Sequence, residues 1–530
     1  VTQDPGSPAA PIDAPTLKAW LADGQELALF DVREHGIYGE GHLFHAVPLA
    51  YSRLERDVAA LAPNPDVRLV VYDDGDGVAQ RAASRLAGLG YRRVHRLDGG
   101  VAAWSAAGYT LYKGVNVPSK AFGELVEVVS HTPHISAAEL AARQGRGEPL
   151  VVLDGRPWEE FQKMSIPGGT CCPNGELALR LQSLVPDAAT TIVVNCAGRT
   201  RSIMGAQTLI NLGVPNPVVA LENGTQGWFL AGFSLEHGQT RRYPARAAVP
   251  AERVRAARDL ARRAGVEWVD AAQLHEWTED GGRTVFLCDV RTPEEYAAGS
   301  LRGARSTPGG QLQQATDQYI GVRNATLVLF DDDGVRAAVT ASWLRQAGWQ
   351  AYVLEDGLAS GAAVRPTPVY APPPVVSIDA AALAGALRAR TVHVLDVRSS
   401  QAYRDAHVPG SAWAIRPRLP RLVRALGVGR YVLVGDDDDI VAWAAADLRE
   451  LGASEVLVLA GGLAAWRQGG GTVEGSPADP PDAERIDHLF FTHERHSGNR
   501  QAAQAYLAWE LGLLDQLDAQ ERASFAPLGH

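Results

Sequence analysis

A chain of 530 residues, 46% hydrophobic and 21% charged, has ordinary globular composition but is too long for a single core, so three to five domains are expected. A net charge of -11 excludes a broad nucleic-acid surface, though it leaves room for a local basic pocket that takes a small anion. No apolar run reaches the roughly eighteen residues that a membrane helix needs, and four cysteines make no disulfide framework, so a reducing cytoplasm is the expected setting.

The first residues, VTQDPGSPAAPIDAPTL, lack the charged start and apolar stretch of a secretory leader, and none is expected. From there the chain reads as four copies of one unit. In the first, over 12–115, the strand LFDVR carries Asp31 and Arg33. A helical turn and the link EGHLFHAVP follow, and then a second apolar strand, LVVYD, closes on Asp73. A helical stretch leads to a third short strand and the turn RLDGGVAAW, ending at Trp104. The segment YKGVNVPSK links this unit to the next.

The second unit, over 130–240, repeats the order: VLDGR (Asp154, Arg156), KMSIPGGTCCP, IVVNC closing on Cys196, and ALENGTQGW ending at Trp228. The link RRYPARAAVPAERVRAARDLARRAG has enough Ala and Arg to form a helix of its own. The third unit, over 265–363, has LCDVR (Asp289, Arg291), LVLFD closing on Asp331, and a turn with Gly361 in the aromatic position. After the Pro-rich link RPTPVYAPPPVV, the fourth, over 376–476, has VLDVR (Asp396, Arg398), VLVGD closing on Gly435, or on Asp436 with a one-residue gap, and VLAGGLAAW ending at Trp466. The stretch 477–530 opens as a loop and ends in RQAAQAYLAWELGLLDQLDAQERASF, whose apolar spacing predicts a helix packed on the array. Short apolar strands alternating with helices predict an α/β fold: four tandem units, each a parallel sheet with helices on both faces, plus a helical C-terminal tail.

The four copies part company at the end of the second apolar strand, where an open parallel sheet binds its ligands. Asp73, Cys196, Asp331 and Gly435 stand there, and only a thiolate among them is a soft sulfur nucleophile. The loop Cys196-Ala197-Gly198-Arg199-Thr200-Arg201-Ser202 runs straight into a helix. Such a loop points backbone N–H groups inward, and with the helix N-terminus it favours an anion. Arg199 and Arg201 add full positive charge. Cys196 is therefore expected to ionise well below the roughly 8.5 of a free thiol and to act as a nucleophile, with Ala197 to Ser202 binding the substrate.

On the Asp-x-Arg pairs, the IPG segment, the cysteine loop and the Gly turn ending in Trp, the units resemble rhodanese domains, and the chain resembles bacterial sulfurtransferases built from four of them. The resemblance spans about residues 13–476. It implies a ping-pong reaction in which Cys196 takes the outer sulfur of thiosulfate or of a persulfide donor, then yields it to a thiol, a protein cysteine or cyanide. It implies no metal and no organic cofactor. Two other readings stay open: a sulfur carrier or scaffold with little turnover, and a cysteine phosphatase or arsenate reductase. Tyrosine-phosphatase-like enzymes use Cys-x5-Arg, and here the loop's last arginine, Arg201, falls one position earlier, as expected for a smaller ligand. The active copy departs from the pattern at Gly155, within Asp-Gly-Arg, and at Glu222-Asn223-Gly224 in place of Asp-Gly-Gly.

Several of the remaining chemistry-bearing residues have two readings. Cys171 and Cys172 are resolving thiols or packing residues, and Cys288, inside an apolar strand, is a core residue. Asp154 and Arg156 are structural partners near the site. Trp158 and Trp228 line the pocket mouth or pack a turn. The acidic runs at 73–77, 331–334 and 435–439 hold a metal or, on the favoured reading, cap the next helix, and they would repel an anionic substrate. His493, Glu494 and His496 lack a standard zinc spacing. The three units without a cysteine at the loop position shield the site, make homo-oligomer contacts or dock acceptors, and the sequence leaves that choice open.

Overall fold

The structure is a computed structural model of the chain, and it describes residues 9–185, 187–246, 248–493 and 498–529. Among the described residues each unit holds a five-stranded sheet with one strand order. In the second unit the order across the sheet is His134–Ile135, Val218–Leu221, Thr191–Asn195, Leu150–Asp154, Thr170–Cys171, all parallel. The central strand, Thr191–Asn195, is the one that delivers the cysteine. Its residues alternate between two cores, as pleating demands. Ile192 and Val194 pack with Leu177 and Leu209 on one face. Val193 packs with Leu140 and Trp228 on the other. Helices therefore cover both faces, as the continuous apolar strands require.

The Asp-x-Arg pairs serve one purpose in every unit. Arg156 donates to Asp154 through Nε at 2.9 Å and Nη2 at 2.7 Å, and Nη2 also donates to the Met164 carbonyl at 2.6 Å. Arg33, Arg291 and Arg398 reach the carbonyls of Gly41, Gly299 and Ala406 in the same way, at 2.6, 2.7 and 2.6 Å. A buried guanidinium is tolerable only when paired and bonded like this, and here it ties the strand end to the helix that follows. The turn tryptophans are equally regular. Trp104, Trp228 and Trp466 each donate from Nε1 to a carbonyl a short way along, at Thr110, Ser234 and Thr472. Turn packing, rather than a pocket mouth, is therefore the place of Trp228.

Several features depart from the linear reading. The segment after the first unit forms a helix, Val117–Ser130, with Pro118 in its first turn, where a missing N–H is harmless. The final segment of the tail, expected as one helix, is broken among the described residues into Arg500–Leu511, Leu513–Gln516 and Ala519–Arg522, and a short helix, Phe490–His493, precedes it. Gly512 ends the first of the three, and Asp518 caps the last through a capping box. The short strand Val322–Arg323 of the third unit pairs antiparallel with Leu27–Asp31, extending the first unit's sheet. The units also share cores: Phe122, Ile203, Met204 and Trp343 join one cluster drawn from three units. Glu494 and His496 lie outside the described residues, as does the side chain of His493. No described helix is long and apolar enough to cross a membrane.

Candidate functional site

Cys196 follows the central strand directly, and the loop enters the helix Thr200–Asn211 with Arg199 at its N-cap. Most of the loop is enclosed: Cys196, Ala197, Arg199, Thr200 and Ser202 are buried, and Arg201 is half-buried. The Ser202 hydroxyl donates to the Cys196 sulfur at 3.2 Å. The backbone is clamped from the Gly turn, where Thr225 N–H donates to the Cys196 carbonyl at 2.9 Å and the Gln226 side chain to the Ala197 carbonyl at 3.0 Å. This clamp demands glycine. Gly224 has φ +53°, and a Cβ there would lie 2.2 Å from the Cys196 carbonyl oxygen. The same near-contact links Gly100 to Asp73, Gly357 to Asp331 and Gly462 to Gly435, which makes Gly435, rather than Asp436, the spatial counterpart of Cys196 in the fourth unit.

The departure at Gly155 has a local cause. A Cβ at residue 155 would sit 2.0 Å from Asn174 Oδ1. Asn174 in turn donates to the Arg201 carbonyl at 2.9 Å, so it braces the loop from beneath. Asp154 accepts from Asn195 Nδ2 at 2.9 Å as well as from Arg156, which fixes the end of the cysteine strand.

The two loop arginines are placed differently from the expectation that both face the substrate. Arg201 is held by Glu160, with two bonds of 2.9 and 2.7 Å. Burial works against its charge; Glu160 upholds it most strongly, and the Cys196 sulfur follows among the groups that favour it. Arg199 is turned onto the helix Val117–Ser130. It binds Glu124 with three contacts of 2.9, 3.1 and 2.9 Å and also contacts Glu127. Thr200 donates from Oγ1 to Glu510 of the tail helix at 3.1 Å, and Glu510 also lies 3.5 Å from Lys120 Nζ. The other oxygen of Glu510 is buried with no hydrogen-bond partner among the described residues. Burial pushes the Glu124 carboxyl up to about 7; Arg199 pulls it down, and Glu510 and Glu127 push it further up.

The units without a cysteine at this position show what the loop's N–H groups hold. The Asp73 carboxylate accepts from Gly75 N at 2.9 Å and Ala79 N at 2.8 Å. Asp331 accepts from Gly334 N at 2.9 Å and Ala337 N at 2.8 Å. Counted along the repeats, these donors match Gly198 or Arg199 and Ser202 in the second unit. In the two Asp-bearing units the bowl is thus filled by the chain's own carboxylate, a more direct block than repulsion by loose acids. In the fourth unit the Asp437 side chain instead caps the next helix, through the N–H groups of Asp439 and Ile440.

Cys171, Cys172 and Cys288 are buried free thiols. Burial raises all three: Cys171 to about 12, Cys172 well above the usual thiol value, and Cys288 to about 11. Such thiols stay protonated and suit packing better than sulfur exchange. Cys171 and Trp158 line a cavity of about 130 Å³ at the border with the third unit. The reading from sequence did not single out Glu124, Glu127, Glu160 or Glu510. Glu124 and Glu127 one turn apart, on a stretch with otherwise apolar spacing, were the available signal.

A family profile described as rhodanese-like domain matches residues 13–107, 136–231, 270–363 and 379–469. A crystal structure of thiosulfate sulfurtransferase from Pseudomonas aeruginosa is 44% identical, covers 98% of this chain and 99% of its own, and superposes with a TM-score of 0.89. A thiosulfate sulfurtransferase of Azotobacter vinelandii is 27% identical over 212 residues, 36% of this chain and 77% of that protein. An HTH-type transcriptional regulator of Mycobacterium tuberculosis is 36% identical over 104 residues, 20% of this chain, and the match spans 45% of the regulator.

Proposed function

The chain belongs to the rhodanese-like domain family, and from that premise we propose that it is a sulfurtransferase moving sulfane sulfur from thiosulfate or a persulfide donor to a thiophilic acceptor through Cys196. The observation that carries this is the position of the sulfur. Cys196 stands where Asp73 and Asp331 hold a carboxylate on two backbone N–H groups, so the same donors meet a thiolate and then a persulfide. The Ser202 hydroxyl, the helix N-terminus and Arg201 add to this. The named activity of the Pseudomonas and Azotobacter relatives supports the same donor.

The Cys196 thiolate attacks the outer sulfur of thiosulfate. An S–S bond forms as the donor's S–S bond breaks, and sulfite leaves with the electron pair. Cyanide, a thiol or a protein cysteine then attacks the terminal sulfur and returns the thiolate. Each step breaks one S–S bond and makes one bond to the transferred sulfur, S–S with thiosulfate or a thiol and C–S with cyanide, so the cycle calls for no electron carrier. Ala197 to Ser202 cradle the bound sulfur, and Asp154 with Arg156 holds the strand end. The proposed setting is the cytoplasm, where an acceptor thiol stays reduced.

The test is mass spectrometry of the protein after thiosulfate. The peptide containing Cys196 gains one sulfur atom, and Cys196→Ser loses both that adduct and thiocyanate formation from cyanide. Thiocyanate turnover by the Cys196→Ser protein, or hydrolysis of an aryl phosphate with no sulfur adduct, would overturn the proposal. An adduct that passes only to a partner protein, with no turnover on cyanide, would make the chain a sulfur carrier.

A further inference from the structure

Both loop arginines are already spoken for. Arg201 is paired with Glu160, and Arg199 is bound by Glu124 and Glu127. Glu124, Glu127 and Glu510 come from helices outside the second unit's own sheet, Val117–Ser130 and Arg500–Leu511. Against these three carboxylates the same cluster offers Arg199 and Lys120. These carboxylates offset part of the positive charge that the guanidinium groups would otherwise bring to the loop. Glu124 and Arg199 are also enclosed, at 4% and 7% exposure, so solvent does little to weaken the effect.

Resting on the sulfurtransfer reading above, we propose that Glu124 is a specificity-determining residue of the second unit's site: by offsetting the Arg199 charge it narrows the advantage that dianionic sulfur donors such as thiosulfate would otherwise hold over monoanionic ones. The energy of a ligand in a fixed potential is proportional to its charge. Removing the Glu124 charge therefore helps a dianion twice as much as a monoanion on a logarithmic scale. The fold-gain for thiosulfate should be about the square of the gain for a donor of the same chemistry with one charge fewer.

Methanethiosulfonate is such a donor. It hands its outer sulfur to the Cys196 thiolate with the same S–S exchange, and methanesulfinate leaves with the electron pair. The groups acting on Glu124 are Arg199 from the loop, Glu510 from the tail helix and Glu127 from its own helix, while Lys120 of that helix pairs with Glu510 at 3.5 Å. Because the Glu124 carboxyl is pushed up to about 7, mainly by burial, it carries its charge fully only above that pH.

The experiment measures kcat/KM for both donors with cyanide as acceptor, in the full chain and in Glu124→Gln, at pH 8.5 and pH 6. At pH 8.5 the substitution is expected to raise the value about threefold for methanethiosulfonate and about tenfold for thiosulfate, chiefly through KM. On going to pH 6 the unsubstituted chain should gain selectively for thiosulfate, while Glu124→Gln holds its donor ratio. Should Glu124→Gln fold poorly, Glu127→Gln, which leaves the Glu124–Arg199 bonds in place, must show the same squared relation with smaller gains. Equal shifts for the two donors, no shift, or a loss with thiosulfate overturns the proposal by itself. If neither donor leaves sulfur on Cys196 in the unsubstituted chain, the functional reading falls and this proposal falls with it.

Discussion

Gly155 and Asn174 show how a single residue shapes the second unit. Its sisters carry Val32, Val290 and Val397 where it has Gly155. In three units the residue aligned with Asn174 donates its N–H to that position's carbonyl: Asn174 to Gly155, Tyr51 to Val32 and Gly309 to Val290. Only the second unit puts an amide side chain there, and it uses that side chain to hold the Arg201 carbonyl. Gly155→Val must push Asn174 aside, which breaks the brace under the loop and costs about 1–3 kcal/mol of overpacking. The expected result is a lower urea midpoint and reduced thiocyanate turnover, with part of the stability restored when Asn174→Ala is added. A Gly155→Val protein as stable and active as the parent would show that the brace is idle. At this scale the sequence was partly readable. Cys196 stood out because three copies of the same position lacked a thiol. Glu124, Glu160 and Glu510 did not, because each meets its loop partner across a long stretch of chain and nothing local marks the pairing.

Among the elements, the helices that close the site are the ones the linear pattern read least well. The repeats were legible because their signals are short-range: an acid two residues before an arginine, and a glycine turn before a tryptophan. The helix Val117–Ser130 was hidden behind Asn116 and Pro118, which look like loop residues, although Pro suits a helix start. The tail was readable as helical, but its break at Gly512 and its docking depend on tertiary contacts. Phe44, Tyr112, Val117 and Ala121 pack against Leu513 and Leu517 of the tail. Glu510 pairs with Lys120, which also bonds to Tyr506. Ending the chain before Asn499 should therefore lower the thermal midpoint, since each buried aliphatic or aromatic side chain uncovered forfeits about 1.5–3 kcal/mol. Sulfur transfer per folded molecule should persist, because the loop is clamped within its own unit by Thr225, Gln226 and Asn174. An unchanged midpoint, or a fully inactive but folded product, would contradict this division of labour.

Buried charge crosses between units beside the apolar core that they share, and other buried ionisable groups make the stability depend on pH. Arg336 of the third unit binds Glu176 of the second at 2.8 Å, and Arg416 of the fourth binds Glu55 of the first at 2.6 and 2.9 Å. Near the same borders burial leaves other groups out of register with their usual ionisation. Glu34 and Glu124 are both pushed up to about 7 by burial, above the ordinary carboxylate value of about 4.3. Between those values the folded chain keeps protons that the unfolded chain has released, so their contribution to stability is lost as pH rises towards 7. Burial pushes His42 the other way, down to about 4 from the usual histidine value of about 6.5. Over that range the unfolded chain binds a proton that the folded chain refuses, so this contribution is lost as pH falls. Below about 6.5 the two effects oppose, and above it the carboxyls act with one sign. The thermal midpoint should therefore rise as pH is lowered from 8 to about 6.5, with a shallower slope in Glu34→Gln, which cannot ionise there. A midpoint that climbs from pH 6.5 to 8 would mean that these two carboxyls are already charged in the folded chain, and the electrostatic control argued for the catalytic loop would lose its pH dependence as well.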